Sequence, residues 1–221
     1  MYDPQKHHRR SIRLPGYDYS KPGSYFVTLC VQERECLFGE VVAGEMILNP
    51  SGEEIEKWWR ELPGKFPLVD LDEHITMPNH FHGIVVIVDP QTQPYHSPRR
   101  RLSWQADSSP FGEIMQWFKT MTTNAYIRGV KECGWPRFYG RLWQRNYYEH
   151  LIRTGRALHN IRNYIRANPA MWAFDRDNLQ AVIANPDAMR QLLSVRFGLT
   201  AEEIEFVLEF DPYKLEEYLY P

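Results

Sequence analysis

A chain of 221 residues that is 43% hydrophobic and 14% aromatic can bury one good core, which excludes an intrinsically disordered protein. No apolar run approaches the roughly twenty residues of a membrane span, and the start, His7-His8-Arg9-Arg10, lacks the apolar stretch of a signal peptide, so a soluble cytoplasmic protein is expected. The net charge of −2 conceals a division: residues 173–221 hold 4 Lys and Arg against 10 Asp and Glu, whereas residues 97–166 hold 13 against 4, a net of +9.

In chain order, residues 24–31 read as a strand, followed by a hairpin of 36–42 and 45–48 turning at Ala43-Gly44. Ser51-Gly52-Glu53-Glu54 has the form of a capping box for a helix reaching about Glu61. Residues 68–77 and 81–88 make two further strands joined at Pro78-Asn79, the second apolar on both faces as a central strand is. Residues 89–110, with Pro90, Pro94, Pro98, Pro110 and Arg99-Arg100-Arg101, read as a flexible linker. A helix over 111–130, a strand over 142–153 and a helix over 155–168, capped by Thr154 and stopped by Pro169, follow. Along 144–152 alternation sets Tyr148 and His150 against Tyr147 and Leu151, with one of the two sets expected to be buried.

After Trp172 the composition turns acidic. A helix over 187–197, a second capping box at Thr200-Ala201-Glu202-Glu203 and a last helix starting at Asp211-Pro212 make a helical extension, 176–221, to a main domain of 1–175. The order strand, helix, two strands, helix, strand, helix suits an α+β fold, an antiparallel sheet with helices packed on one face.

The chemistry is concentrated in two motifs. His80 and His82 lie two apart on a strand, so both imidazoles project from one face. Tyr164 and Asn168 lie four apart on a helix and stack on one side of it. If that helix packs over the histidine strand, two imidazoles and an amide oxygen can hold a divalent ion, with the phenol aimed at the same spot. Such a neutral ligand set leaves the metal's charge free to polarise a phosphodiester. A tyrosine whose attack is assisted in this way can form a covalent phosphoester. Taken singly, each piece has a plain structural reading: hydrogen-bonded histidines, a core tyrosine, a helix-ending asparagine. Tyr148 is the rival nucleophile.

The segments Pro78-Asn79-His80-Phe81-His82-Gly83, Trp143-Gln144-Arg145-Asn146-Tyr147-Tyr148-Glu149-His150-Leu151-Ile152-Arg153 and Tyr164-Ile165-Arg166-Ala167-Asn168-Pro169 resemble those of REP-associated tyrosine transposases. These are HUH single-tyrosine transposases of the insertion-sequence type. The opening Arg10-Ser11-Ile12-Arg13-Leu14-Pro15-Gly16-Tyr17-Asp18-Tyr19 and Gly23-Ser24-Tyr25-Phe26-Val27-Thr28 is similar too, and the resemblance spans about residues 9–175 in order. It implies a ferredoxin-like sheet, His80, His82 and Asn168 as metal ligands, Mg²⁺ or Mn²⁺ as the ion, and Tyr164 as the nucleophile that becomes a 5′-phosphotyrosine. It further implies a single-stranded or hairpin DNA partner containing a repetitive palindrome, and a monomer rather than a dimer.

Lys119, Arg145, Arg153 and Arg166, within the basic stretch, are candidate DNA contacts, and Trp143, Tyr147 and Tyr148 offer rings for unpaired bases. No Gly-rich phosphate loop points to ATP. Cys30, Cys36 and Cys133 form no Cys-x-x-Cys pair and are expected to be reduced. Two alternatives stay open: a domesticated hairpin-binding protein without chemistry, and a metal phosphodiesterase that activates water.

Overall fold

The computed structural model describes residues 21–89, 110–183 and 185–213. Strand β1 (Gly23–Cys30) runs antiparallel to both β5 (His80–Ile87) and β6 (Tyr148–Ile152), and β4 (Val69–Thr76) flanks β5. The sheet order is β4-β5-β1-β6. Helix α1 (Pro50–Arg60) connects β1 to β4 by way of the hairpin β2 (Gly39–Val42) and β3 (Glu45–Leu48). A short α2 (Leu62–Lys65) follows α1, and α3 (Pro110–Glu132) lies between β5 and β6. This is the expected α+β class with a four-stranded antiparallel sheet in ferredoxin-like order.

Alternation along the strands assigns the two faces. Tyr25, Val27 and Leu29 of β1 with Phe81 and Val85 of β5 pack against Ile55 and Trp59 of α1 and Phe111, Ile114 and Phe118 of α3. Burial of each such side chain is worth about 1.5–3 kcal/mol, so this face carries most of the folding energy. Gly83 shows how tightly it is packed: a Cβ there would lie 2.5 Å from the Trp59 ring.

The other face, Phe26, Ile84 and Ile152, is covered by Ala157, Ile161 and Ile165 of α4 (Gly155–Met171) and by Phe210. Helices expected on one face therefore divide between both. For the same reason both sets of residues on β6 are buried, Glu149 and Leu151 as well as His150 and Ile152.

Other departures are local. The cap of α1 is Asn49, whose side chain accepts from the amides of Ser51 and Gly52. Ser51 instead donates to Leu37 O. The strand expected from 142 begins only at Tyr148, because Trp143 makes one isolated bridge to Val31 and turns its indole inward to donate to Thr122. Helix α4 runs through Pro169 to Met171: Ala167, Asn168, Pro169 and Ala170 are all buried, and that packing outweighs the one missing amide hydrogen bond. The hairpin turn is as expected, with Ala43 and Gly44 both at positive φ.

In the extension, α5 (Pro186–Phe197) and α6 (Ala201–Glu209) pack on α4 through Ala167, Leu193, Ile204 and Val207. Thr200 and Glu203 cap α6 reciprocally, as the sequence predicts. The linker residues 90–109 and the last helix expected beyond Tyr213 lie outside the described residues. No helix among the described residues is long and apolar enough to cross a membrane, and Cys30, Cys36 and Cys133 are free thiols.

Candidate metal and nucleophile site

β5 begins at His80, and its pleat turns His80 and His82 to the α4 face, where both are buried and their ring centroids are 4.7 Å apart. The amide nitrogen of Asn79 donates to Arg34 O at 2.9 Å and to Asp177 O at 2.7 Å, which leaves its oxygen facing His80 Nδ1 at 2.9 Å. His80 Nδ1 is then the donor, and Nε2 keeps its lone pair. That Nε2 is buried without a hydrogen-bond partner. His82 Nδ1 lies 2.8 Å from Thr28 Oγ1, its partner across the β1–β5 ladder, and Nε2 lies 3.4 Å from the Tyr164 hydroxyl. Burial, reinforced by the neighbouring His80, holds the His82 pKa well below that of a free imidazole, so His82 is neutral and able to coordinate a cation.

Tyr164 reaches this point because α4 is pinned across the sheet. Arg162 Nε donates to Asp72 at 2.7 Å, and Arg166 Nε donates to Glu73 at 3.0 Å, both acceptors lying where the β4–β5 register shifts between Leu71 and His74. The Tyr164 ring stands edge-on to His82, with centroids 5.3 Å apart. Desolvation, followed by the Asp175 charge, raises the Tyr164 pKa well above that of a free phenol, against a lowering influence from Asn168. Asn168, one turn on, is buried, and its Oδ1 has no hydrogen-bond partner. The structure thus brings together all four residues singled out in the two motifs.

The residues fit a divalent cation. His80 Nε2 and Asn168 Oδ1 are two buried acceptors without hydrogen-bond partners, on side chains next to His82 and Tyr164 respectively, so both are free to accept a cation. Among the described residues no three His, Cys, Asp or Glu side chains come close enough together to hold an ion, so a site here would have to include the Asn168 amide. His80, His82 and Asn168 would hold the ion, an N/N/O set compatible with Mg²⁺ or Mn²⁺.

The C-terminal extension closes over the site. Phe210 packs edge-on to Tyr164 at 4.8 Å and lies 5.7 Å from the His150 ring, and His150 Nε2 donates to Pro212 O at 3.0 Å. Arg176 pairs with Asp211 at 2.9 Å, and Tyr213 donates to Asp177. A cavity of about 330 Å³ remains, lined by Tyr164, Asn168, Asp175, Asp177, Phe210 and Tyr213 among others. Thr28 and Asp175 carry no signal in the sequence, and neither do the particular contacts by which 210–213 closes over Tyr164. Asn79 could have been found, since it sits inside the histidine motif.

The candidate DNA contacts are not gathered in one place. Lys119 on α3 and Arg145 line a cleft of about 610 Å³ on the face away from Tyr164. The Lys119 ammonium donates to Gln144 O at 2.6 Å and Arg145 O at 3.2 Å, and burial draws its pKa down to about 8. Arg166 is on the tyrosine helix, paired with Glu73, and Arg153 is exposed at the end of β6. Tyr148 packs edge-on to Tyr213 at 4.5 Å.

Fold and site together define an α+β protein whose α4-covered sheet face presents a His-x-His pair to a helix-borne tyrosine and asparagine. The chain belongs to the same family as a protein of Haemophilus influenzae described as uncharacterized, with which it is 37% identical over 182 residues, 79% of this chain and 96% of the relative. No family model matches it. Solved structures similar to it include the following two. One is a REP-associated tyrosine transposase bound to a REP hairpin (TM-score 0.47, 19% identity, 72% of each chain). The other is a putative transposase from Deinococcus radiodurans (TM-score 0.38, 13% identity, 69% of this chain and 95% of that one).

Proposed function

We propose that this protein is a metal-dependent single-strand DNA transesterase of the tyrosine transposase kind, a cytoplasmic monomer that cleaves and rejoins DNA beside repetitive palindromic hairpins. The observation that carries the reading is the Tyr164 hydroxyl 3.4 Å from His82 Nε2, beside the unsatisfied His80 Nε2 and Asn168 Oδ1. The resemblance of the three motifs to REP-associated tyrosine transposases supports it.

In the reaction the Tyr164 oxygen, losing its proton, bonds to the scissile phosphorus as the P–O bond to the preceding 3′ oxygen breaks. The products are a 5′-phosphotyrosine and a free 3′ hydroxyl. Attack by a 3′ hydroxyl in the reverse direction rejoins strands and restores the phenol, so no nucleotide cofactor is consumed. A bound divalent cation supplies Lewis acidity to the phosphate and favours the phenolate. The protein's own share is to hold the His82 imidazole neutral through burial and its contact with Thr28, and to fix the phenol through the two arginine clamps on α4.

The cavity of about 330 Å³ is at the small end of the roughly 300–1,000 Å³ typical of small-molecule pockets, and movement of the 210–213 clasp would widen the approach of a DNA strand to Tyr164. That closure favours one second reading, a hairpin-binding protein that does no chemistry. Incubation with Mn²⁺ and labelled single-stranded hairpin oligonucleotides separates the two. A denaturant-resistant adduct, lost in Tyr164→Phe, is the expected result; binding with neither adduct nor cleavage would select the second reading, and hydrolysis without adduct a water-activating phosphodiesterase.

A further inference from the structure

The cavity beside Tyr164 is ringed by three aspartates whose charges are not equally balanced. Asp177 has Arg34 Nη2 at 3.0 Å from Oδ1 and accepts from Tyr213. Asp211 accepts from Arg176 Nη1 at 2.9 Å with both oxygens. Asp175 accepts only the backbone amide of Asp177, at 2.7 Å on Oδ1, and has no ion pair among the described residues. It is half-buried on the loop that follows α4, three residues after Trp172, whose ring lies 5.9 Å from that of His80. The carboxylate lines the same cavity as Tyr164 and Asn168.

An unbalanced carboxylate in a partly dry cavity is unfavourable unless a cation answers it. The same cavity is lined by Asn168, whose buried Oδ1 has no partner, and by Tyr164, whose hydroxyl lies 3.4 Å from His82 Nε2; His80, whose buried Nε2 has no partner, lies next to His82 with ring centroids 4.7 Å apart. A carboxylate with no ion pair among the described residues thus shares a cavity with the Asn168 amide, and Tyr164 connects that cavity to the histidine pair. Because no three His, Cys, Asp or Glu side chains among the described residues converge directly on an ion, the carboxylate acts across a gap. A hard divalent cation held by three protein ligands keeps several waters, and water bridges such gaps.

We propose that Asp175 is the outer-shell carboxylate of the His80–His82–Asn168 cation site, accepting hydrogen bonds from cation-bound water and supplying a negative charge that balances the ion. The inference rests on the metal-site reading above and adds the residue that sets the site's affinity and its preference for a hydrated, hard cation. Asp177 and Asp211 serve the clasp instead, each being occupied by an arginine.

The test is Mn²⁺ binding to the full-length protein, read from the electron paramagnetic resonance signal of free Mn²⁺, without DNA. Asp175→Asn, which keeps the shape and removes the charge, is expected to weaken Mn²⁺ binding roughly 10- to 100-fold, the usual cost of an outer-shell partner. Asp211→Asn removes an equal charge from the same cavity and should stay within about threefold. Thermal unfolding without metal should be nearly unchanged in Asp175→Asn, while the upward shift produced by Mn²⁺ should shrink. Unchanged Mn²⁺ affinity in Asp175→Asn, or equal losses in Asp175→Asn and Asp211→Asn, would overturn the assignment. Should the protein fail to bind Mn²⁺, or bind it equally with His80 and His82 both replaced by alanine, the metal-site reading itself fails, an outcome distinct from the other two.

Discussion

Replacing Phe210 by alanine should make the tyrosine more reactive while making the protein less stable. Phe210 is 8% exposed and lies 4.8 Å from Tyr164, 5.6 Å from Phe26, 5.7 Å from His150 and 5.1 Å from Phe206, ring to ring. Truncating so enclosed a phenylalanine costs about 3–5 kcal/mol. The segment 210–213 is tied down otherwise by a few polar contacts, among them His150 to Pro212 O and Arg176 to Asp211. Much of the loss therefore falls on local opening of the clasp. At 1.4 kcal/mol per tenfold, a loss of about 3 kcal/mol raises the open population on the order of 100-fold. If DNA reaches Tyr164 only in the open state, single-turnover adduct formation should accelerate by a similar factor, up to the point at which opening ceases to limit the rate. Native-state hydrogen exchange would report the opening independently, as faster exchange in α6 with little change in β1 and β5. Faster exchange with adduct formation still at the wild-type rate would refute the argument that the clasp limits access.

Three further outcomes follow from the geometry. Gly83→Ala would force a methyl against the Trp59 ring, 2.5 Å away, and should destabilise the fold by about 1–3 kcal/mol in denaturant titration. Hydrogen bonds from Arg162, against some desolvation, hold the Asp72 carboxyl below its ordinary 3.8, so its stabilising effect is complete above that pH and is lost as the pH falls through the folded-state value. Asp72→Asn should then melt below wild type at neutral pH, by about 0.5–1 kcal/mol after allowance for the partly exposed Arg162, with the gap closing in acid. Thr154→Ala removes the oxygen that accepts from the Ala157 amide at the start of α4 and should cost about 1 kcal/mol, measured by thermal unfolding.

Much of this fold was legible because local signals agreed with one another. The apolar runs of β1 and β5, the Ala43-Gly44 turn and the Thr200–Glu203 box each state a local structure that tertiary packing had no reason to overrule. The His80/His82 pair and the Tyr164/Asn168 pair could be read because a strand's period of two and a helix's period near four put each pair on one side. What brought the pairs together could not be read. The clamps Arg162–Asp72 and Arg166–Glu73 join residues about ninety positions apart, and nothing in either segment names its partner. The second layer of helices was missed for a related reason: an apolar residue such as Phe26 shows that its face is covered without showing by what. Asp175 carries no sequence signal of its own; what distinguishes it from Asp177 and Asp211 is that those two are paired with Arg34 and Arg176.

The most direct test of the central claim is to find the atom that carries the DNA. The protein would be incubated with Mn²⁺ and a single-stranded hairpin oligonucleotide, trimmed with nuclease and protease, and the nucleotide-bearing peptide sequenced by mass spectrometry. The account predicts a phosphoester on Tyr164. A phosphoester on Tyr148 instead, or no modified peptide although Mn²⁺ and DNA are both bound, would contradict it.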